Sequence, residues 1–326
     1  MKILLDTNVW SYVADEGFGD DLLRVALDVG VDVAVAPAVV DEVKAIPDAP
    51  ARKRALLLIT DHRWFRLLPE AFSEAQELKF EIERLRPPWM IKDPKLDEVN
   101  RLLNDWVAIS GGYWDRARAD IQAMPTDESE RGNDEQRLAR EDAYKFRKNR
   151  SKGSQKGGNS HLRSVATFPP PGTPGWDGDP IAYWRVPSLL VFRNELAVYT
   201  SPYREWLDSE IDIQEMFRDE VSLNRLWLYD LRFQAMQRQW IRGAFEFLQM
   251  WFKVTDGTPG DARMSTHLVE VDHFVSADKN MVRIGKRCRD QAPFALADSH
   301  LIPSGRPGVE KLIKTIRGLV QNQPKK

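Results

Sequence analysis

The sequence is short of several things, and each shortage removes a class of function. It holds one cysteine, Cys288, in 326 residues. A single thiol cannot build a disulfide framework, so a reducing, cytoplasmic setting is expected. No run of 18 apolar residues occurs, which leaves no segment suited to spanning a membrane. The N-terminus places Asp6 inside its apolar stretch and lacks a small-residue cleavage site, so no signal peptide is expected. Net charge is only −2, so any nucleic-acid partner must be met by a local patch rather than by the chain as a whole. Neither G-x-G-x-x-G nor G-x-x-x-x-G-K-[ST] is present, which removes the common nucleotide-cradling loops. The spacing offers no C-x-x-C motif and no Ser/His/Asp set.

One local absence stands out. Ala143 to Trp176 contains no acidic residue, while Lys145, Arg147, Lys148, Arg150, Lys152, Lys156 and Arg163 are basic. The same stretch carries SKGSQKGGNS and FPPPGTPG. A mobile, basic Gly/Pro/Ser-rich loop at about 143–180 is expected, able to follow a phosphate backbone without reading sequence. Elsewhere, 42% hydrophobic and 29% charged residues are ordinary for a globular protein large enough to bury a substantial core.

The two ends of the chain alternate in an α/β manner. Strands are predicted at Lys2–Leu5, Val31–Ala36, His273–Ser276 and Phe294–Ala297. Helices are predicted at Asn8–Ala14, Asp20–Val29 (closed by Gly30), Pro37–Ile46, Asp261–Val271 and Asn280–Lys286. Such alternation implies a parallel sheet covered by helices on both faces. Between them, Glu70–Leu85, Leu96–Ile109 and Ile211–Phe252 have helical periodicity. In the last of these Phe233, Met236, Trp240, Ala244, Phe247 and Trp251 mark one apolar, core-facing stripe. The expected organisation is one α/β domain built from residues 1–46 and 255–326, split by a mostly helical insertion at 47–254.

Four acids fall where proposed strands exit or helices begin: Asp6 in LLDTNVW, Glu42 in VVDEV, Asp261 in GDARM and Asp278 in SADKNM. Ligands of parallel sheets bind at these carboxyl ends. Four carboxylates at one edge repel unless a cation neutralises them, and hard oxygen donors suit Mg²⁺ or Mn²⁺. Each acid also has a plain structural role open to it: Asp6, Asp261 and Asp278 as helix caps, Glu42 as a helix-face charge. Asp41 is the alternative to Glu42, and Asp256 the alternative to Asp261.

These motifs, in this order, resemble the PIN-domain nucleases. Their pattern is a strand-ending D-T/S-N/S, a helical Glu, an Asp opening a late helix and a [T/S]-x-D after a strand. Asp6, Glu42, Asp261 and Asp278 match its acids, while Thr7, Asn8 and Ser276 match its polar positions. The likeness covers about residues 1–46 and 255–300. It implies a three-layer α/β/α PIN-like fold, Mg²⁺ or Mn²⁺ at the four acids, and metal-dependent hydrolysis of RNA, in toxin-like or RNA-processing fashion. Lys145, Arg147, Lys148, Arg150, Lys279 and Arg283 are candidate phosphate contacts. A structure-specific DNA nuclease would use the same acids. A non-catalytic RNA-binding or protein-interaction scaffold would keep them as caps. An inhibitory partner or a homo-oligomer is compatible with the large insertion.

Overall fold

The computed structural model describes residues 1–119, 160–251 and 258–321. Its centre is a five-stranded, all-parallel sheet, with strands β1 (Lys2–Leu5), β2 (Asp32–Val35), β3 (Phe65–Arg66), β6 (His273–Ser276) and β7 (Asp298–Leu301) in the order β3-β2-β1-β6-β7. The smaller β4 (Ala166–Thr167) and β5 (Ile181–Ala182) form a separate antiparallel pair. From β1 the chain steps outward to β2 and β3; from β6 it steps the other way to β7. The reversal lies between β1 and β6, and a sheet of this kind offers its ligand crevice at such a switch point.

Burial explains why three of these strands were legible. The last three residues of KILL, DVAV and HFVS are all buried, as expected of strands covered on both faces. Strand β7 departs from expectation. It is DSHL at Asp298–Leu301, not the apolar run Phe294–Ala297. An edge strand pairs on one side only and tolerates polar residues. The apolar run ahead of it packs instead, with Phe294 edge-on to Trp240 at 5.4 Å between ring centroids.

The helices around the sheet are α1 (Thr7–Asp15), α2 (Gly19–Val29), α3 (Pro37–Lys44) and α4 (Ala49–Ile59). Gly30 closes α2 in the left-handed region at φ 66°, where glycine pays no steric penalty. Helix α4 packs on α1 and α3, and β3 pairs with β2. The sheet therefore takes its outermost strand from beyond residue 46, inside the segment expected to be an insertion. Then follow α5 (Glu70–Leu85), α6 (Leu96–Val107), α7 (Tyr113–Ala119), α8 (Arg185–Ala197), α9 (Pro202–Leu207), α10 (Ile213–Arg218) and α11 (Glu220–Arg225). A π-turn at Leu226–Asp230 precedes α12 (Gln237–Gln249). The chain ends in α13 (Thr258–Ser265), α14 (Lys279–Gln291) and α15 (Arg306–Gln321). Helix α15 packs on α1 and α2, while α12 packs on α13 and α14, a grouping compatible with helical layers on both sides of the sheet.

The long periodic stretch Ile211–Phe252 is thus broken into three helices and a π-turn. Arg185 holds the turn by donating to the carbonyls of Trp227 and Leu231, both at 2.7 Å. The apolar stripe is nonetheless core: Met236, Trp240, Ala244 and Phe247 are buried.

Helix α5 buries an apolar seam of Ala71, Ala75, Leu78 and Ile82 and docks by charge as well. Glu70, Glu74, Glu77 and Glu81 recur every three or four residues and so share one face. Glu70 accepts from Arg263 Nε at 2.6 Å, Glu77 from Arg238 Nη1 at 2.9 Å and Glu81 from Arg232 Nη2 at 2.8 Å. Glu74, 0% exposed, accepts from Arg242, Gln239 and, at 2.9 Å, the Tyr203 hydroxyl. Two of the arginines, 238 and 242, are one turn apart on α12. The ladder therefore joins α5 to the helix that abuts the site described next.

Candidate active site

Asp6 follows the last residue of β1 and caps α1. Its Oδ1 accepts from Thr7 N at 2.8 Å; its Oδ2 accepts from Asn8 Nδ2 at 2.7 Å and from the Ser276 hydroxyl. Asp6 is 8% exposed, so burial raises its pKa, and three hydrogen bonds work against that rise. Asn8 reaches back across the switch point: its Oδ1 accepts from Ala277 N at 3.1 Å. Ser276, the last residue of β6, accepts from Asp278 N at 2.8 Å. One hydroxyl thereby ties the ends of the two central strands together. Asp278 caps α14, its Oδ1 accepting from Asn280 N at 2.6 Å and Met281 N at 3.0 Å.

The other two acids arrive on helices. Glu42 lies on α3, its pKa raised to about 7 by burial and then by the charge of Asp6. The Thr7 hydroxyl lies beside it and eases that shift, yet Thr7 Oγ1 is buried with no hydrogen bond of good geometry. Asp261 lies on α13, which packs against α3. A Cβ on Gly260 would come within 2.1 Å of Glu42 Oε1, so glycine there lets the Glu42 carboxylate keep its place against α13. Gln249, at the end of α12, donates to Asp261 Oδ2 at 3.2 Å. The pKa of Asp261 is raised to about 8, first by burial and then by the negative charges of Asp6, Glu42 and Asp278. All four predicted acids therefore stand in one another's field.

The neighbours Asp41 and Glu42 have separate tasks. Asp41 turns away to Arg263, whose Nη2 donates to it at 3.0 Å while Nε holds Glu70. Adjacent helix positions point about 100° apart, so α3 sends one acid to the cluster and one to the ion pair. Arg263 is the cation whose charge reaches Glu42, and its guanidinium is already engaged. Asp256, the alternative third acid, lies outside the described residues, as do Lys145, Arg147, Lys148 and Arg150. Arg163, also in the basic stretch, donates to the carbonyls of Gln291 and Ala292 at 3.1 Å. Lys279 and Arg283 are exposed on the first two turns of α14 beside Asp278.

Sequence reasoning missed Gln249, Gly260 and the bridging part of Arg263, none of which belongs to a local motif. It also left unpaired two histidines that the sheet brings together. Among the described residues, the group of three or more ligating side chains whose donor atoms all lie within 4.8 Å of one another is His273, Asp298 and His300, not the four acids. The acid cluster is looser. Among the described residues, no helix is long and apolar enough to cross a membrane. No family model, no curated protein and no solved structure matches this chain.

Proposed function

We propose that the chain is a metal-dependent ribonuclease on a PIN-like α/β/α core, with Asp6, Glu42, Asp261 and Asp278 as the ligands of Mg²⁺ or Mn²⁺. The observation that carries this reading is that Asp6, Glu42 and Asp278 all act on Asp261 near the switch point of the sheet, where burial and neighbouring negative charge raise the pKa values of Asp6, Glu42 and Asp261. Two details support a fit to a hard cation. Among the described residues the donors are carboxylate oxygens with no free cationic side chain set among them, and the buried Thr7 hydroxyl stands beside Glu42 in the same place.

A divalent ion bound there supplies charge neutralisation at a phosphate and an acidified water for in-line attack. The chain's own residues supply position. Asn8 and Ser276 fix Asp6 Oδ2, and Thr7 N fixes Oδ1. Gln249 orients Asp261, and fixed ligands of this kind are what such outer contacts provide. The raised pKa of Asp261 keeps a proton on it near neutral pH, which relieves part of the repulsion; as a ligand Asp261 would have to release that proton, so metal affinity would rise with pH. Lys279 and Arg283, exposed beside Asp278, suit the phosphates flanking the scissile bond. A DNA substrate would use the same groups.

A second reading has an observation of its own. Asp6 and Asp278 both cap helices with good geometry, which a non-catalytic scaffold needs as much as a nuclease does. The two readings separate on one experiment. Purified protein is incubated with labelled RNA and labelled DNA, in Mn²⁺ or EDTA, beside Asp6→Asn and Asp278→Asn. Cleavage of RNA that needs Mn²⁺ and disappears in both variants supports the nuclease. Cleavage unaltered by both substitutions sinks it, and preference for DNA replaces the substrate.

A further inference from the structure

Strand β6 carries chemistry at both ends. At its far end Ser276 serves the acid cluster; at its near end stands His273. In the parallel pairing of β6 with β7, His273 is opposite Asp298. Asp298 and His300 are two residues apart and so lie on one face of β7. His273 Nδ1 approaches His300 Nε2 to 3.0 Å, and His300 Nε2 lies 3.8 Å from Asp298 Oδ2. Donors about 2 Å from a tetrahedral ion stand about 3.3 Å from one another, so these spacings are those of a ligand set. All three side chains are half-buried, which leaves solvent access for a fourth ligand.

We propose that His273, Asp298 and His300 form a second metal site, selective for a borderline ion such as Zn²⁺, Co²⁺ or Ni²⁺. Two imidazoles and one carboxylate are the donor set such ions prefer, whereas the all-oxygen acid cluster prefers Mg²⁺ or Mn²⁺. The carboxylate is pre-aimed. Arg289 Nη1 holds Asp298 Oδ1 at 2.6 Å, which turns Oδ2 toward the imidazoles in the way that outer contacts orient metal ligands. The site spans a strand boundary, joining the edge strand β7 to β6. Three residues of strand, about 10 Å, separate it from Ser276, so it is independent of the nuclease reading. Its role is to pin the edge of the sheet, and an ion that binds only the folded chain raises its melting temperature by mass action.

The test is Co²⁺ titration of the full chain, in its Asp6→Asn form so that the acid cluster contributes little, followed by visible absorption. Tetrahedral Co²⁺ bands at one ion per chain, displaced by Zn²⁺ and untouched by excess Mg²⁺, are expected. His273→Asn and His300→Gln should each weaken binding at least tenfold while melting like the parent without metal. His300→Cys restores a ligand and should recover the bands with an added thiolate charge-transfer feature, which guards against a misfolded variant. Octahedral bands only, or tetrahedral bands that survive both histidine substitutions, would overturn the site.

Discussion

The Ser276 hydroxyl donates to Asp6 Oδ2 across 270 residues of chain and accepts the N–H of Asp278 at 2.8 Å. It is buried and has both of its neighbours in the acid cluster. Ser276→Ala removes a donor from one acid and strands the N–H that sets the turn into the other. Leaving buried polar groups unpaired costs about 1–3 kcal/mol. Loss of a contact that orients a metal ligand weakens metal affinity about 10–100-fold. Denaturant unfolding and Mn²⁺ calorimetry on the same variant check both figures. Unchanged Mn²⁺ affinity would mean that Asp6 and Asp278 do not share an ion.

The acid cluster makes stability depend on pH in a direction opposite to that of an ordinary salt bridge. Asp261 rises from 3.8 to about 8 and Glu42 from 4.5 to about 7 on folding. Between those values the folded chain holds more protons than the unfolded one, so stability falls as pH rises from about 4 to 8. Glu77, raised to about 7, adds to the same slope, while Glu70, held near 2, acts only below about pH 4.5. In EDTA the melting temperature should therefore be lower at pH 8 than at pH 5 by several degrees, since about 1 kcal/mol moves a chain of this size by a few degrees. Mn²⁺ should restore it at pH 8 and have little effect at pH 5. Asp261→Asn should raise the EDTA melting temperature at pH 8 and abolish most of the Mn²⁺ response. A flat profile in EDTA would show that the carboxylates are not crowded.

The site was legible because each acid sits at a punctuation mark. Asp6 ends a buried apolar strand, Asp278 follows another, and Glu42 follows the proline that opens α3. Those are local signals, and the structure places all three acids together. What could not be read was set by contacts distant in sequence. Strand β3 is two residues long, too short for any period, and its place in the sheet depends on pairing with β2. Strand β7 is polar because it is an edge, so DSHL carries no apolar run to mark it, and the run Phe294–Ala297 lies four residues before it. Gln249 reaches Asp261 only because α12 packs on α13. The glutamates of α5 look like a solvated helix face until Arg232, Arg238, Arg242 and Arg263 are brought against them. Helix geometry lets only one of Asp41 and Glu42 face the cluster, and the Arg263 pair that takes Asp41 lies too far along the chain to be read locally.

Gly260 is a place where stability and function should part. Within a helix, Gly→Ala ordinarily stabilises by about 1 kcal/mol. Here the new methyl would meet Glu42 Oε1 at 2.1 Å, so the carboxylate must swing aside. Gly260→Ala is expected to melt within a few degrees of the parent while losing at least tenfold in Mn²⁺ affinity and in any metal-dependent cleavage. Full retention of both would mean that Glu42 is not a ligand. Asp41→Asn is the matched control: it breaks the Arg263 pair and removes one negative charge acting on Glu42, but takes away no proposed ligand, and should change Mn²⁺ affinity far less than Gly260→Ala does.

The charge ladder of α5 makes a prediction about the body of the protein rather than its site. Arg242 is the cation at Glu74, which is 0% exposed and also accepts from Gln239 and Tyr203. Buried pairs gain little over apolar packing, but breaking one leaves an uncompensated charge, at a cost of about 3–5 kcal/mol. Arg242→Met should incur that cost. Adding Glu74→Gln should return most of it, because the amide is neutral and its Oε1 still accepts from the Tyr203 hydroxyl. Urea unfolding of the parent, both single variants and the double variant forms a cycle in which the coupling between the two positions is read directly. The single Arg242→Met loss should also shrink as pH is lowered, since protonation of Glu74, whose pKa burial already raises, removes the orphaned charge. A loss of under 1 kcal/mol at neutral pH would show that water or a neighbouring arginine replaces Arg242, and that α5 is held by its apolar residues instead.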